Sequence, residues 1–348
     1  MSFPISFLDL TPIESHSTAS VALKHSVELA QLAERLGYYR YWFAEHHNTS
    51  GLASAAPEIM IEHVASRTER LRLGSGGVML PNHSPLKIIE TFKLLEALHP
   101  GRIDLGMGRA PGTDQVTAFA MRRSREAMTA DDYPQQLAEL IAYDDQTFPA
   151  NHTFRSIKAI PVDVRMPPLF LLGSSDFSGL LAAEMGLGFA FAAHINREAA
   201  VPALRAYRER FEPSRRYPEP RAILTVSVTV GETAEHAAEL SRINDLVILW
   251  LRSGKLGRYP TLDEAISYPF TAQERAMVAA MPINYIAGNA VQVHDTIMDM
   301  MEATGADELM ITTMLPSPED RTRALTALAR EFGMTERAGI TPFALAAF

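Results

Sequence analysis

The side chains that could do chemistry fall in short, separate blocks. Glu45, His46, His47 and Asn48 are consecutive, and Asn82 and His83 follow the glycines Gly74, Gly76 and Gly77. Arg109 stands in Gly-Met-Gly-Arg-Ala-Pro-Gly, and Gly-Ser-Ser-Asp-Phe-Ser-Gly carries the hydroxyls of Ser174, Ser175 and Ser178. An imidazole near neutrality can both give and take a proton, which suits general acid–base work. Adjacent histidines suit a barrel metal site poorly, because that needs ligands on alternating strand positions with more on later strands, and no further pattern of this kind stands at a strand end. No metal is expected. Neighbouring strand residues face opposite sides, so one of His46 and His47 should face the site and the other serve the structure. The serine block lies between an apolar run and a helix start, where unpaired N–H groups and the positive end of the macrodipole favour an anion. Capping by one serine explains one hydroxyl; a phosphate explains all of them, with Arg109 adding a charge-assisted bond.

These blocks must be positioned by a repeat of strand and helix. From Leu71 to Asp114 the chain reads as strand, Gly-rich turn, helix, turn, strand and a second Gly-rich turn. Leu71, Leu73 and Val78 to Leu80 supply a buried strand, and the intervening glycines let backbone lie where a side chain would clash. Pro85 opens a helix whose Ile88, Ile89, Phe92, Leu95 and Leu98 fall at helical spacing. Strand character recurs near residues 5, 41, 73, 105, 170, 190, 226 and 310, each time followed by a helical pattern. Such a succession predicts one α/β domain over 1–348, a single (β/α)8 TIM barrel with insertions near 149–167 and 252–288. A doubly wound open sheet is the alternative, but no GxGxxG follows the first strand. In a barrel of this kind the active site lies at the carboxyl ends of the strands. That position selects Asp9, Glu45, His46, His47, Gly76, Gly77, Asn82, His83, Arg109, Ser174, Ser175, Ser178, His194 and Asn196.

The bulk properties narrow the class. The 348 residues are 47% hydrophobic with a formal charge of −9, which fits a globular chain and not the basic stripe of a nucleic-acid surface. The absence of cysteine excludes disulfides, thiolate metal sites and cysteine nucleophiles. The amino terminus has no basic segment leading into an apolar one, and no apolar run approaches the ~20 residues that a bilayer requires. A cytoplasmic protein that meets neither membrane nor nucleic acid is expected.

Tyr-Trp-Phe-Ala-Glu-His-His-Asn at 41–48, Leu-Gly-Ser-Gly-Gly-Val-Met-Leu-Pro-Asn-His-Ser-Pro at 73–85, Gly-Arg-Ile-Asp-Leu-Gly-Met-Gly-Arg-Ala-Pro-Gly at 101–112 and Leu-Leu-Gly-Ser-Ser at 171–175 together resemble the bacterial luciferase-like flavin monooxygenases. The likeness runs over nearly the whole chain and is strongest to homologues of unassigned substrate, not to the light-emitting subunits. It implies a (β/α)8 barrel that binds FMN, usually as reduced FMN from a separate NAD(P)H:flavin reductase, and uses O2 as co-substrate. It places His46 at the family's catalytic histidine, which attends the reaction of flavin with oxygen. Arg109, Ser174, Ser175 and Ser178 fall where the family grips the FMN phosphate. Gly76-Gly77 matches a non-proline cis peptide beneath the flavin ring, and Met107 joins the cofactor-binding set. Two departures stand out: Gly108 replaces the reactive cysteine of the luciferase catalytic subunits, and Ser174 replaces a carboxylate of their phosphate site. Light emission is not expected.

The expected activity is therefore FMN-dependent monooxygenation of a small, apolar organic molecule. Hydride transfer with the deazaflavin F420 and flavin binding without turnover are the alternatives. Oxygen chemistry on a reduced flavin needs water kept out, so the stretches 149–167 and 252–288 are candidate lids. A helix from Pro57 to Thr68, apolar on more than one face, is suited to a homodimer interface.

Overall fold

A computed structural model of the chain describes residues 3–255 and 257–334. The ends of the predicted 1–348 span, and residue 256 of the second insertion, lie outside the described residues. Ten strands run in chain order as β1 (Ile5–Asp9), β2 (Arg40–Phe43), β3 (Arg72–Ser75), β4 (Val78–Met79), β5 (Ile103–Gly108), β6 (Leu169–Gly173), β7 (Gly188–Ala192), β8 (Ala222–Val230), β9 (Tyr285–Gly288) and β10 (Glu308–Thr312) among the described residues. Eight of them close a parallel barrel in the order β1-β2-β3-β5-β6-β7-β8-β10, with β10 returning to β1. The predicted (β/α)8 barrel is the fold. The apolar run from Leu71 to Leu80 is not one strand, however: it breaks at Gly76–Gly77, β4 pairs separately with β5, and Leu80–Asn82 turns as a 3-10 helix.

Residue size governs how the barrel fills. Leu8, Trp42, Phe170, Ala190, Ile223 and Met310 come from six different strands and pack together inside, with Trp42 edge-on to Phe170 at 5.4 Å between ring centroids. Glycine is obligatory beside that indole, since a Cβ on Gly74 would lie 2.6 Å from Trp42 Nε1. At the amino-terminal end the interior is sealed by charge. Arg40 pairs with Asp104 at 2.8 Å and Glu308 at 2.7 Å, Arg72 pairs with Asp104 at 2.5 Å, and Ser6 Oγ and Trp42 Nε1 donate to Glu308 and Asp104. Such buried ions are tolerable because each meets a partner of opposite sign and further hydrogen bonds. This charged network fills the amino-terminal end of the barrel interior among the described residues.

The opposite faces of the strands bury Phe7, Tyr41, Phe43, Leu105 and Leu171 under the helices. Local chemistry starts and stops those helices: Thr18 caps Ala19–Leu36 by accepting from the Val21 N–H, and Gly37 ends it at φ +86°, where a side chain would be strained.

The two insertions behave differently. Residues 149–167 stay irregular and are held against the helix layer: Lys93 Nζ donates to Ala159 O, the Ile160 N–H donates to Glu90 and the Met166 N–H to Asp144. This connector therefore packs on the flank of the barrel, and does not cover its mouth as a lid would. The stretch 252–288 contains helices Leu262–Ser267 and Ala272–Ala279, each with a complete capping box, followed by β9. β8 makes this possible: Ile223–Ser227 pair with β10, and Ser227–Val230 continue above the barrel to pair with β9. Asn284, just before β9, donates to Ile195 O in the loop after β7, so this insertion reaches the mouth.

Candidate active site

The chain leaving β2 divides its consecutive polar residues between two tasks. Glu45, 1% exposed, accepts from both His47 Nε2 at 2.7 Å and His83 Nε2 at 2.8 Å through Oε1, and from the Met79 N–H at 2.9 Å through Oε2. Burial drives the Glu45 carboxyl upward, but the hydrogen bonds from His83, His47 and Met79 outweigh it and hold the group below its ordinary value. In turn burial lowers His83, while its hydrogen bond to Glu45 and the carboxylate charge raise it above the usual histidine value. Glu45 is the clamp that joins the β2 loop to the turn after β4. His47 belongs to that clamp, and its backbone N–H donates to Gly112 O.

His46 is left free for other work. Its backbone N–H donates to Ser54 O at 3.1 Å, whereas its Nδ1 is buried without a hydrogen-bond partner. Burial, partly opposed by the Glu45 charge, lowers its pKa, so the imidazole is neutral near pH 7. Of the two adjacent histidines, only His47 therefore hydrogen-bonds to Glu45.

Beside this stands a glycine cradle. The Gly76–Gly77 peptide is cis, the geometry that the resemblance implies. A Cβ on Gly77 would lie 2.6 Å from Gly106 O on β5, and one on Gly76 would lie 2.5 Å from Leu8 Cδ1. Gly77 meets backbone and can carry only hydrogen, whereas at Gly76 the Leu8 side chain would have to move. Met107 is different: the whole residue is 0% exposed within the main core and its carbonyl accepts from Tyr133 Oη.

The cation and the serines meet across neighbouring strands. Arg109, exposed just past β5, lays its guanidinium over the Phe177 ring at 4.0 Å, in the first turn of helix Asp176–Glu184 after β6. Ser175 is the N-cap residue, in extended backbone, and its side chain makes no capping hydrogen bond. Simple capping is thus not what this hydroxyl does, and the N-terminal amides remain open to an anion. Ser174 is half-buried and its carbonyl accepts from Asn196 Nδ2. Ser178 is 5% exposed, pressed against Gly173, where an added Cβ would lie 2.6 Å from Ser178 Oγ. The arrangement can take a phosphate-sized anion between a fixed cation and a helix start.

Not every strand-end candidate belongs here. Asp9 turns outward to the helix layer, where it is 0% exposed, pairs with Arg321 at 2.5 Å and accepts from Tyr41 Oη at 2.6 Å. Strand alternation explains this, since Phe7 and Asp9 share the outer face while Leu8 points inward. Asn82 ties loops together through Pro111 O and Arg122. Two contacts were not legible in the sequence: Phe177 as a platform for Arg109, and Glu45 as the shared acceptor of two histidines. The only hint of the second was a carboxylate next to the histidine pair.

The sequence profile described as luciferase-like monooxygenase matches residues 3–308. The chain belongs to that family. A "Luciferase-like monooxygenase" of Escherichia coli strain K12 is 40% identical over 306 residues, which is 88% of this chain and 90% of the relative. An "N-acetyl-S-alkylcysteine monooxygenase" of Bacillus subtilis is 33% identical over 319 residues, 91% of this chain and 94% of the relative. Among solved structures, apo-MsnO8 superposes with a TM-score of 0.88 at 35% identity, covering 97% of this chain and 100% of that one. Similarity in fold alone extends to the oxygenating constituent of 3,6-diketocamphane monooxygenase from Pseudomonas putida in complex with FMN, at TM-score 0.68 and 17% identity over 98% of this chain and all of that one. It extends equally to an F420-dependent secondary alcohol dehydrogenase, at TM-score 0.64 and 14% identity over 95% and 98% of the two chains. Among the described residues no helix is long and apolar enough to cross a membrane.

Proposed function

We propose that this luciferase-like monooxygenase binds FMN at the barrel mouth, receives it reduced from a separate flavin reductase, and uses O2 to oxidise a small, largely apolar organic molecule. The observation that carries this reading is the pairing of a free, neutral His46 at one side of a glycine cradle with an uncapped helix start under Arg109 at the other. Arg109, the amides at the start of Asp176–Glu184 and the Ser174 and Ser175 hydroxyls would hold the phosphate, and the flavin ring would lie against the Gly76–Gly77 backbone, as the family resemblance implies. Reduced flavin, when bound, supplies the electrons with which oxygen is activated. The chain's own contribution is to bind, to keep water from the mouth through the docked 252–288 insertion, and to hold or accept a proton at His46.

Hydride transfer with F420 is the second reading, favoured by the shared fold. It makes the opposite binding prediction. Titration of the purified chain with FMN, reduced FMN and F420, followed by rapid mixing of the reduced complex with oxygen, separates the two. Reduced FMN should bind and give a transient flavin absorbance that is shortened by His46→Gln while FMN affinity is kept. Tight F420 binding without FMN binding would overturn the reading.

A homodimer is part of the same proposal. Ile59 is 66% exposed on helix Pro57–Ala65, and a groove of about 740 Å³ between this helix and Ala19–Leu36 has Leu23, Val27, Ile59 and Met60 in its lining, with charged residues such as Lys24, Glu28 and Arg67 beside them. An apolar surface of that kind suits a second copy.

A further inference from the structure

We propose that His194 is a second substrate-facing residue, set across the barrel mouth from His46, and that the pair selects a largely apolar molecule bearing one uncharged hydrogen-bonding group, such as a hydroxyl, carbonyl or amide. The proposal rests on reading this mouth as the place where the organic substrate is oxidised.

The placement follows from topology. In the closed order β1-β2-β3-β5-β6-β7-β8-β10, β2 and β7 are four positions apart, on opposite sides of the barrel. His46 follows β2 and His194 follows β7. Both residues therefore stand at the carboxyl-terminal end of the barrel. Each has its Nδ1 buried without a hydrogen-bond partner. A buried polar atom left in that condition is destabilising, and a hydrogen-bonding ligand relieves it.

His194 is held firmly enough to serve. Its backbone N–H donates to Thr225 O at 3.2 Å. Asn196 donates to Ser174 O on one side of the loop, and Asn284 donates to Ile195 O on the other. The loop is thereby braced between the phosphate-side strand and the insertion.

The surroundings set the ligand class. Leu10 and Leu172 are half-buried and pack on the apolar barrel interior at the same end, where the next inward positions of β8 and β10 are the buried Thr225 and Thr312. Burial pushes His194 down to about 4, and burial lowers His46 also, so both are neutral near pH 7. A carboxylate substrate would require a buried imidazolium, which these positions disfavour. An ammonium would need an acid, yet Glu45 is occupied by His47, His83 and Met79, and Asp9 faces Arg321 in the helix layer. A neutral imidazole can donate to or accept from an uncharged group.

The test uses the full chain with histidine-selective 15N NMR near pH 7. The probes are cyclohexanol, cyclohexanone and N-cyclohexylacetamide, each compared with cyclohexane up to its solubility limit. The polar probes should shift the His46 and His194 Nδ1 signals saturably, and cyclohexane should shift neither. His194→Phe should weaken the polar probes about tenfold, equal to ~1.4 kcal/mol, and leave cyclohexane unaffected. His194→Asn, which keeps donor and acceptor atoms near the Nδ1 position, should restore most of the affinity and guards against a misfolded Phe variant. Absence of any shift with the polar probes, equal response to cyclohexane, or polar binding untouched in both folded variants would overturn the proposal. FMN titration of the wild-type chain is read separately. FMN binding without polar selectivity defeats this inference alone, whereas polar selectivity in a chain that binds no FMN defeats the flavin reading and spares this one.

Discussion

Replacing Glu45 probes the device that arranges the site without touching the proposed reacting groups. Its carboxylate takes three donors, from His47 at 2.7 Å, His83 at 2.8 Å and the Met79 N–H at 2.9 Å, in a position 1% exposed. Glu45→Ala removes all of these acceptors and leaves buried donors unpaired, for an expected loss of about 3–5 kcal/mol of stability. Glu45→Gln keeps the shape and one acceptor oxygen but loses the charge, for about 1–2 kcal/mol. The pH dependence gives a second readout. Glu45 has a depressed pKa, so its contribution is present above the ordinary 4.5 and is lost as pH falls through the lowered value. His83 has a raised pKa, so its contribution is complete below the ordinary 6.5 and is lost as pH rises through the raised value. Urea midpoints of wild type and Glu45→Gln, compared on either side of the His83 titration, should therefore converge at the alkaline side. A loss below about 0.5 kcal/mol in Glu45→Ala, the range of an ordinary surface change, would refute the clamp. So would an equal wild-type-to-Gln gap at both pH values.

Arg109→Ala should weaken FMN binding about tenfold or more by removing a charge-assisted bond, measured by flavin fluorescence quenching, with little change in urea midpoint because the side chain is exposed. Arg321→Met strands the buried Asp9 carboxylate and should cost about 3–5 kcal/mol, while the double change that also makes Asp9→Leu should recover much of it. Ile59→Asp should turn the expected dimer into a monomer by analytical ultracentrifugation at micromolar concentration, with the fold retained by circular dichroism.

The strands and their order as alternating βα units were legible because buried parallel strands are short apolar runs and each is followed by helical periodicity. The break at Gly76–Gly77 was hidden inside such a run, since Val78 and Leu80 continue its hydrophobicity while the backbone turns away. β9 was hidden for the opposite reason: Tyr285–Gly288 has little pattern of its own and is a strand only because β8 extends past the barrel rim to pair with it.

Residue type and spacing alone pointed to the chemistry expected: imidazoles without a metal-binding pattern, hydroxyls and an arginine suited to an anion, and glycines where backbone must lie close. These follow from the local chain, because side-chain chemistry and helix or strand period need only a few neighbours. Tertiary structure decided which of those groups are free. Asp9 and Glu45 look alike as acids at strand ends, yet one is neutralised by an arginine 312 residues away and the other by histidines on two loops. His46 and His47 are adjacent, yet only His47 finds the carboxylate. Which partner a polar group meets depends on barrel closure, and closure brings together residues whose separation along the chain carries no local signal.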